Sequence, residues 1–211
     1  MLKLNPLRSG LMTALVLLLA HEATGRAADE TLAVHPETPR DTGFSAMLGM
    51  HQWLVLGGAN IAAQYKTQHL VFEASHGQAL HLNKASSITL TDDEKDAGVD
   101  VTMPWTTGGG VGFRITRNLH ALVEVKVHRY EVLGADRNQK LSYLTFTVGP
   151  GLFYDIHLWR GLFLQPLVRW WPNVGDTLDK SATLTRADGT TYQPQAKSQG
   201  VFANVNLGWS F

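Results

Sequence analysis

Within four positions, Glu73-Ala-Ser75-His76 holds the residue types of a hydrolytic triad. On a strand, neighbouring side chains point to opposite faces, so Ser75 and His76 cannot pair there. Glu73 and Ser75 share a face, and a histidine from another strand, such as His128, would have to join them. The remaining histidines, among them His51, His81, His120 and His157, are scattered without an H-E-x-x-H arrangement. A metal site needs three or four converging ligands, so none is expected, and no cofactor is implied. The chain contains no cysteine, which removes disulfides, zinc–thiolate sites and thiol nucleophiles.

Six residues, Glu73 and His128 again among them, fall on the polar face of alternating segments: Glu73, Arg114, Glu124, Lys126, His128 and Arg169. Enclosed by a sheet, they would link opposite walls through charge-assisted hydrogen bonds, because a buried charge without a partner is costly. A plug of paired charges is one reading; a polar gate or proton-coupled site is the other. Glu124 is the expected central acceptor, for Arg114, Arg169 or Lys126. Arg114 and Glu124 lie on opposite arms of a turn at 116–118, so antiparallel pairing is expected to bring them within a rung or two.

The elements carrying these residues read as strands. Period-two alternation marks 43–53, 60–66, 70–82, 99–115, 119–132, 141–155, 162–171 and 200–211. Connections at 67–69, 116–118 and 156–161 are tight. Those at 83–98, 133–140 and 172–199 are longer and polar, with 54–59 the shortest of that set. No helical period of useful length, low-complexity tract or repeat follows the first 27 residues. The pattern predicts an all-β fold, an eight-stranded antiparallel up-and-down barrel with short turns at one end and longer loops at the other. A membrane strand needs about 9–11 residues, and the stretch from Gly43 to Phe211 accommodates eight strands with loops. Which face points inward follows from three features. Leu119, Ala121, Val123, Val125 and Val127 oppose Glu124, Lys126 and His128. Glycines such as Gly149 and Gly151 share the polar face, where a narrow lumen needs them and a solvated surface does not. Trp and Tyr gather near strand ends, as in interfacial girdles. The apolar face is therefore expected to face lipid.

At the N-terminus, Lys3 and Arg8 precede an apolar run from Leu11 to Ala20, and Gly25-Arg-Ala27-Ala28 offers small residues for cleavage. That layout reads as a secretory signal peptide over 1–27, too short to span a membrane as a helix. Residues 28–42 read as a polar periplasmic leader and 43–211 as the barrel. Cleavage would remove three of 18 basic and one of 18 acidic residues, leaving a slightly acidic chain with no call for a nucleic-acid partner.

The final segment alternates Val201, Ala203, Val205, Leu207, Trp209 and Phe211 with small or polar residues. It resembles the sorting signal of bacterial outer-membrane barrels, with Val205, Leu207, Trp209 and Phe211 as the positions read during assembly. Together with the strand rhythm and Val148-Gly-Pro-Gly-Leu-Phe-Tyr154, this makes the chain similar to small outer-membrane barrels of the OmpA, OmpX and OmpW type. The resemblance implies an outer-membrane location in a Gram-negative envelope, contact with membrane lipids and lipopolysaccharide, insertion by the barrel-assembly machinery, and a monomer. The implied role is in envelope structure or surface interaction. An OmpW-like conduit for small apolar molecules is a second reading, with Trp105, Trp170 and Trp171 near the outer rim. A lipid A-modifying enzyme is the third. The lipid A deacylases carry a His-x-Ser-Asn motif on a late strand, and Leu167-Val-Arg-Trp-Trp171 has neither His nor Ser.

Overall fold

The computed structural model describes residues 42–85 and 89–211. The signal-peptide reading and nearly all of the leader reading fall outside them. The strands are β1 (Gly43–Gly49), β2 (Ala59–Lys66), β3 (Leu70–His81), β4 (Asp100–Arg114), β5 (Leu119–Leu133), β6 (Lys140–Tyr154), β7 (Ile156–Trp159), β8 (Leu162–Trp171), β9 (Asn173–Asp176), β10 (Leu184–Thr185), β11 (Thr191–Tyr192) and β12 (Gly200–Ser210). Among the described residues, the connections hold the short α-helices α1 (Met50–Leu54) and α2 (Asp92–Ala97) and a 3-10 turn at Leu82–Ala85. Among the described residues no helix is long and apolar enough to cross a membrane.

Antiparallel neighbours run β1 to β6 in order, then β8, then β12, and β12 pairs β1 to close the ring. β7 continues β6 past Asp155 and pairs with β8. β9 continues β8 past Pro172 and pairs with the far part of β6. The result is a closed barrel of eight antiparallel staves. Closure removes the free edges that an open sheet would expose.

Alternation along each stave sorts the two faces. Outward residues include Phe44, Ile61, Phe72, Val111, Val123, Val125, Val148 and Leu207, all exposed. Inward lie Gln64, Glu73, Glu124, Lys126, Thr145, Thr147, Gln165, Arg169 and Asn206, all buried. This is inverted relative to a water-soluble barrel, in which the apolar set fills the interior. Glycine permits the wall to close tightly. A Cβ on Gly112 would lie 1.8 Å from the Ala121 carbonyl oxygen. One on Gly149, where β6 changes partner from β8 to β9, would lie 1.8 Å from that of Trp170.

Several boundaries differ from the sequence reading. The first strand ends at Gly49 rather than residue 53, because α1 turns the chain inward and Gln52 reaches Asn204. The connection therefore spans 50–58. The segment 156–161 is mostly strand, and only Arg160 and Gly161 make the turn. In β4 the register shifts between Thr102 and Trp105, around Pro104, which has no N–H for the ladder. The 83–98 connection holds α2, started by a capping box in which Thr91 and Glu94 each bond the other's backbone N–H. The 172–199 connection holds β9 and the β10–β11 hairpin.

The loop end folds into an apolar cluster, separate from the polar lumen. Leu56, Leu80, Leu82, Leu90, Val101, Met103, Tyr130, Tyr143, Leu184 and Tyr192 are all buried in it.

Candidate functional site: the charged lumen

β8 places Arg169 on the inner face opposite Gly151 of β6 and Phe202 of β12. β3 contributes Glu73 and β5 contributes Glu124 and Lys126, each on its inward-pointing set. The Arg169 guanidinium donates to Glu73 Oε1 at 2.7 Å. Its Nε approaches Glu124 Oε2 at 2.9 Å, a charge contact without hydrogen-bond alignment. Lys126 Nζ lies 3.8 Å from Glu124 Oε1 and donates to Ser75 Oγ. Arg169 also sits 4.9 Å from the Phe153 ring centre and 5.0 Å from that of Trp171, and Lys126 lies 4.7 Å over Trp171. Two acids and two bases thus neutralise one another inside an aromatic collar. Their side chains are at most a few per cent exposed, so each needs these partners to remain charged.

The charge cluster is one part of a longer chain of contacts. Gln64 donates to Glu73 Oε2 at 2.8 Å, and Gln165 Nε2 reaches Gln64 Oε1 at 3.1 Å and Asp155 Oδ1 at 2.9 Å. Lys66 closes on Asp155 toward the turn end. On the other side, Asn206 donates to Gln165 and Asn204 donates to both Asn206 and Gln52 of α1. Side chains from β2, β3, β5, β8 and β12, with Asp155 between β6 and β7, are joined across the lumen.

The structure therefore brings together Glu73, Glu124, Lys126 and Arg169. His128 lies apart from them, its ring nitrogens at 2.7 Å from Thr106 Oγ1 and 2.9 Å from Thr147 Oγ1. Arg114 is also elsewhere. It pairs opposite His120 in the β4–β5 ladder, whereas Glu124 pairs opposite Gly110, four residues farther from the turn. Its guanidinium instead donates to the Thr67 and Arg117 carbonyls at the turn end. The Arg114–Glu124 proximity expected from the sequence is thus corrected by the ladder register. The polar amides Gln64, Gln165, Asn204 and Asn206 were not singled out from the sequence, although their alternating positions carried the signal.

For the triad reading, Ser75 faces Lys126 rather than a histidine. His76 points out of the barrel, as the strand period requires. Among the described residues no three histidines, aspartates or glutamates converge as a metal site requires. Of the tryptophans placed near the rim, Trp171 is turned into the lumen and stacks on Phe202 at 5.8 Å, whereas Trp170 is exposed.

Above the lumen, the loops are tied together by Lys197, which meets Glu94 of α2 and donates to the Thr89 carbonyl at 2.8 Å. Burial holds the Lys197 ammonium below its ordinary pKa. Burial, reinforced by Glu94 and Asp93, pushes the Tyr192 phenol up to about 12. Arg186 pairs with Asp93 at 2.9 Å across the same seam.

No protein-family model matches this chain, and no curated protein matches it.

Proposed function

We propose that this chain is an integral outer-membrane barrel whose lumen is closed by a polar network, acting in envelope structure or through its loops in surface interaction. The observation that carries the reading is the inversion of the wall. Valines and aromatics at the exposed positions of β3 to β6 surround a lumen of buried Glu, Lys, Arg and Gln. Such a barrel is stable where the outside is hydrocarbon, since there the exposed apolar belt costs nothing and the closed ladder leaves no strand edge facing lipid. Lipids and lipopolysaccharide would surround the wall, and the barrel-assembly machinery would insert it as a monomer, with the alternating residues of β12 through Trp209 and Phe211 as the strand presented for assembly.

Passive structural work fits the lumen better than conduction, because cross-wall contacts run from Lys66 to Gln52. An apolar conduit would need room at the loop end, and that space is filled by the chain's own Leu80, Met103 and Tyr130. Heat-modifiable migration in detergent, together with planar-bilayer recording, tests the proposal. The expected result is a folded band that shifts on boiling and no steady conductance. A protein that stays monodisperse without detergent, or one that conducts continuously, would overturn it.

A further inference from the structure

Along β8 and β12 the outward set is apolar, with Leu164, Val168 and Trp170 on one and Val201, Val205, Leu207 and Trp209 on the other. β3 breaks this pattern. Its outward set runs Leu70, Phe72, Ala74, His76 and Gln78, and Thr107 of β4 stands opposite His76 in the ladder. His76 lies six residues on from Leu70, a rise of about 15 Å for a strand tilted by about 40°. That puts an exposed imidazole near the middle of the proposed span. Among the described residues its side chain has no hydrogen-bond partner, and a hydrocarbon tail offers none. An ionisable side chain at such a depth marks a functional site.

The wall around His76 is shaped to meet a copy of itself. An open groove of about 750 Å³ crosses the outside of β1 to β4, bounded by Leu48, Ile61, His76 and Thr107. Ala46, Ala63 and Ala74 line it in adjacent register, and Gly109 continues the row on β4. Depth is counted from the turns, which close at Thr67–Leu70 and Ile115–Leu119. Six residues in stand Ile61, His76 and Gly109; four residues in stand Ala63, Ala74 and Val111. On each level, β3 has a large neighbour on one side and a small one on the other. Resting on the membrane reading above, we propose that this face is the contact surface of a homodimer, formed by two copies after each has inserted. Copies inserted in the same direction are related by a two-fold axis along the membrane normal, so residues of equal depth meet. With that axis at β3, Ile61 of each copy faces Gly109 of the other, Ala63 faces Val111, and Ala74 faces itself. The two His76 rings also meet, and neutral imidazole carries one donor and one acceptor, so each supplies what the other lacks. Small residues that allow close approach, with polar groups joined between them, are what associates segments in lipid, where apolar burial gives no drive.

The test uses the full chain folded into dilute phosphatidylcholine vesicles. Ala74→Cys is expected to form a disulfide-linked dimer when oxidised with copper phenanthroline. Val168→Cys, six residues on from Leu162 and across the ring from β3, is expected to stay single. Energy transfer between copies labelled at a loop Asn138→Cys then reads the affinity. His76→Leu is expected to weaken pairing about tenfold. Ala74→Phe, which thickens the face against itself, is expected to abolish pairing, and Val168→Phe to leave it unchanged. The shift on boiling shows that each variant is folded; should Ala74→Phe fail that check, the two cysteine variants and His76→Leu decide. Equal cross-linking at 74 and 168, energy transfer no greater than random collision gives, or pairing untouched by both substitutions would overturn the proposal. A single copy that holds one lipid in native mass spectrometry, and loses it in Ala74→Phe, would give the groove to lipid and also overturn it. A chain that stays outside the vesicles would sink the membrane reading itself.

Discussion

Arg169 answers two carboxylates at once, Glu73 at 2.7 Å and Glu124 at 2.9 Å, while Glu124 has Lys126 as a further, longer partner. Losing the guanidinium leaves two buried anions to share the single ammonium of Lys126, whereas losing the Glu124 charge leaves Arg169 still paired with Glu73. Arg169→Met is therefore expected to destabilise by roughly 3–5 kcal/mol, the range for breaking a buried pair from one side. Glu124→Gln is expected to cost less. Adding Glu124→Gln to Arg169→Met should recover part of the loss, because the excess buried negative charge is removed and Glu73 is left against Lys126. Urea midpoints of the refolded protein check the cycle, and strictly additive losses would show that the two do not interact. Tyr192 gives a second test at this scale. Its phenol ionises normally near 10 and in the folded loop at about 12. Below pH 10 it is neutral in both states, and between 10 and 12 the opened loop gives up its proton first. The stability of the loop seam should therefore fall across that window. Tyr192→Phe is expected to flatten the decline, read by limited proteolysis of the loops between pH 9 and 12.

The staves were legible as alternation, and their inward and outward sets follow from residues such as Val123, Glu124 and Val125. Partners across the lumen were not legible, because alternation assigns a face but not a height, and the contacts also depend on where β6 meets β8 and β12 meets β1. Arg114 and Glu124 show the difference. In a hairpin whose turn centres on Arg117, position 114 faces 120, so Glu124 could not lie beside it; counting rungs from the turn would have revealed this. α2 also left a signal that periodicity misses at six residues: Thr91 with Glu94 three positions later, followed by Gly98 at φ +67°. Removing the cap tests whether the loop end is energetically separate from the wall. Thr91→Ala is expected to weaken α2 by about 1 kcal/mol, seen as faster cleavage within 82–99 while the urea midpoint of the barrel stays unchanged. A shifted midpoint would mean that loop cluster and barrel unfold as one unit.

At the scale of the whole molecule, an exposed belt of valine and aromatic residues is wrapped around buried charges, an arrangement suited to a belt that meets lipid. Val125 lies midway along β5 and is 55% exposed, which places it near the midplane of the proposed span. Val125→Arg is expected to cost roughly 2–4 kcal/mol there, against little or nothing if the wall met water. The chain has no cysteine, so a single one can report its own surroundings. The most direct measurement is therefore a Val125→Cys variant carrying an environment-sensitive fluorophore, folded into vesicles containing lipids spin-labelled near the bilayer centre. The predicted result is blue-shifted emission quenched by the membrane label and insensitive to water-soluble iodide. Emission typical of water, quenched by iodide and not by the lipid label, would contradict the account.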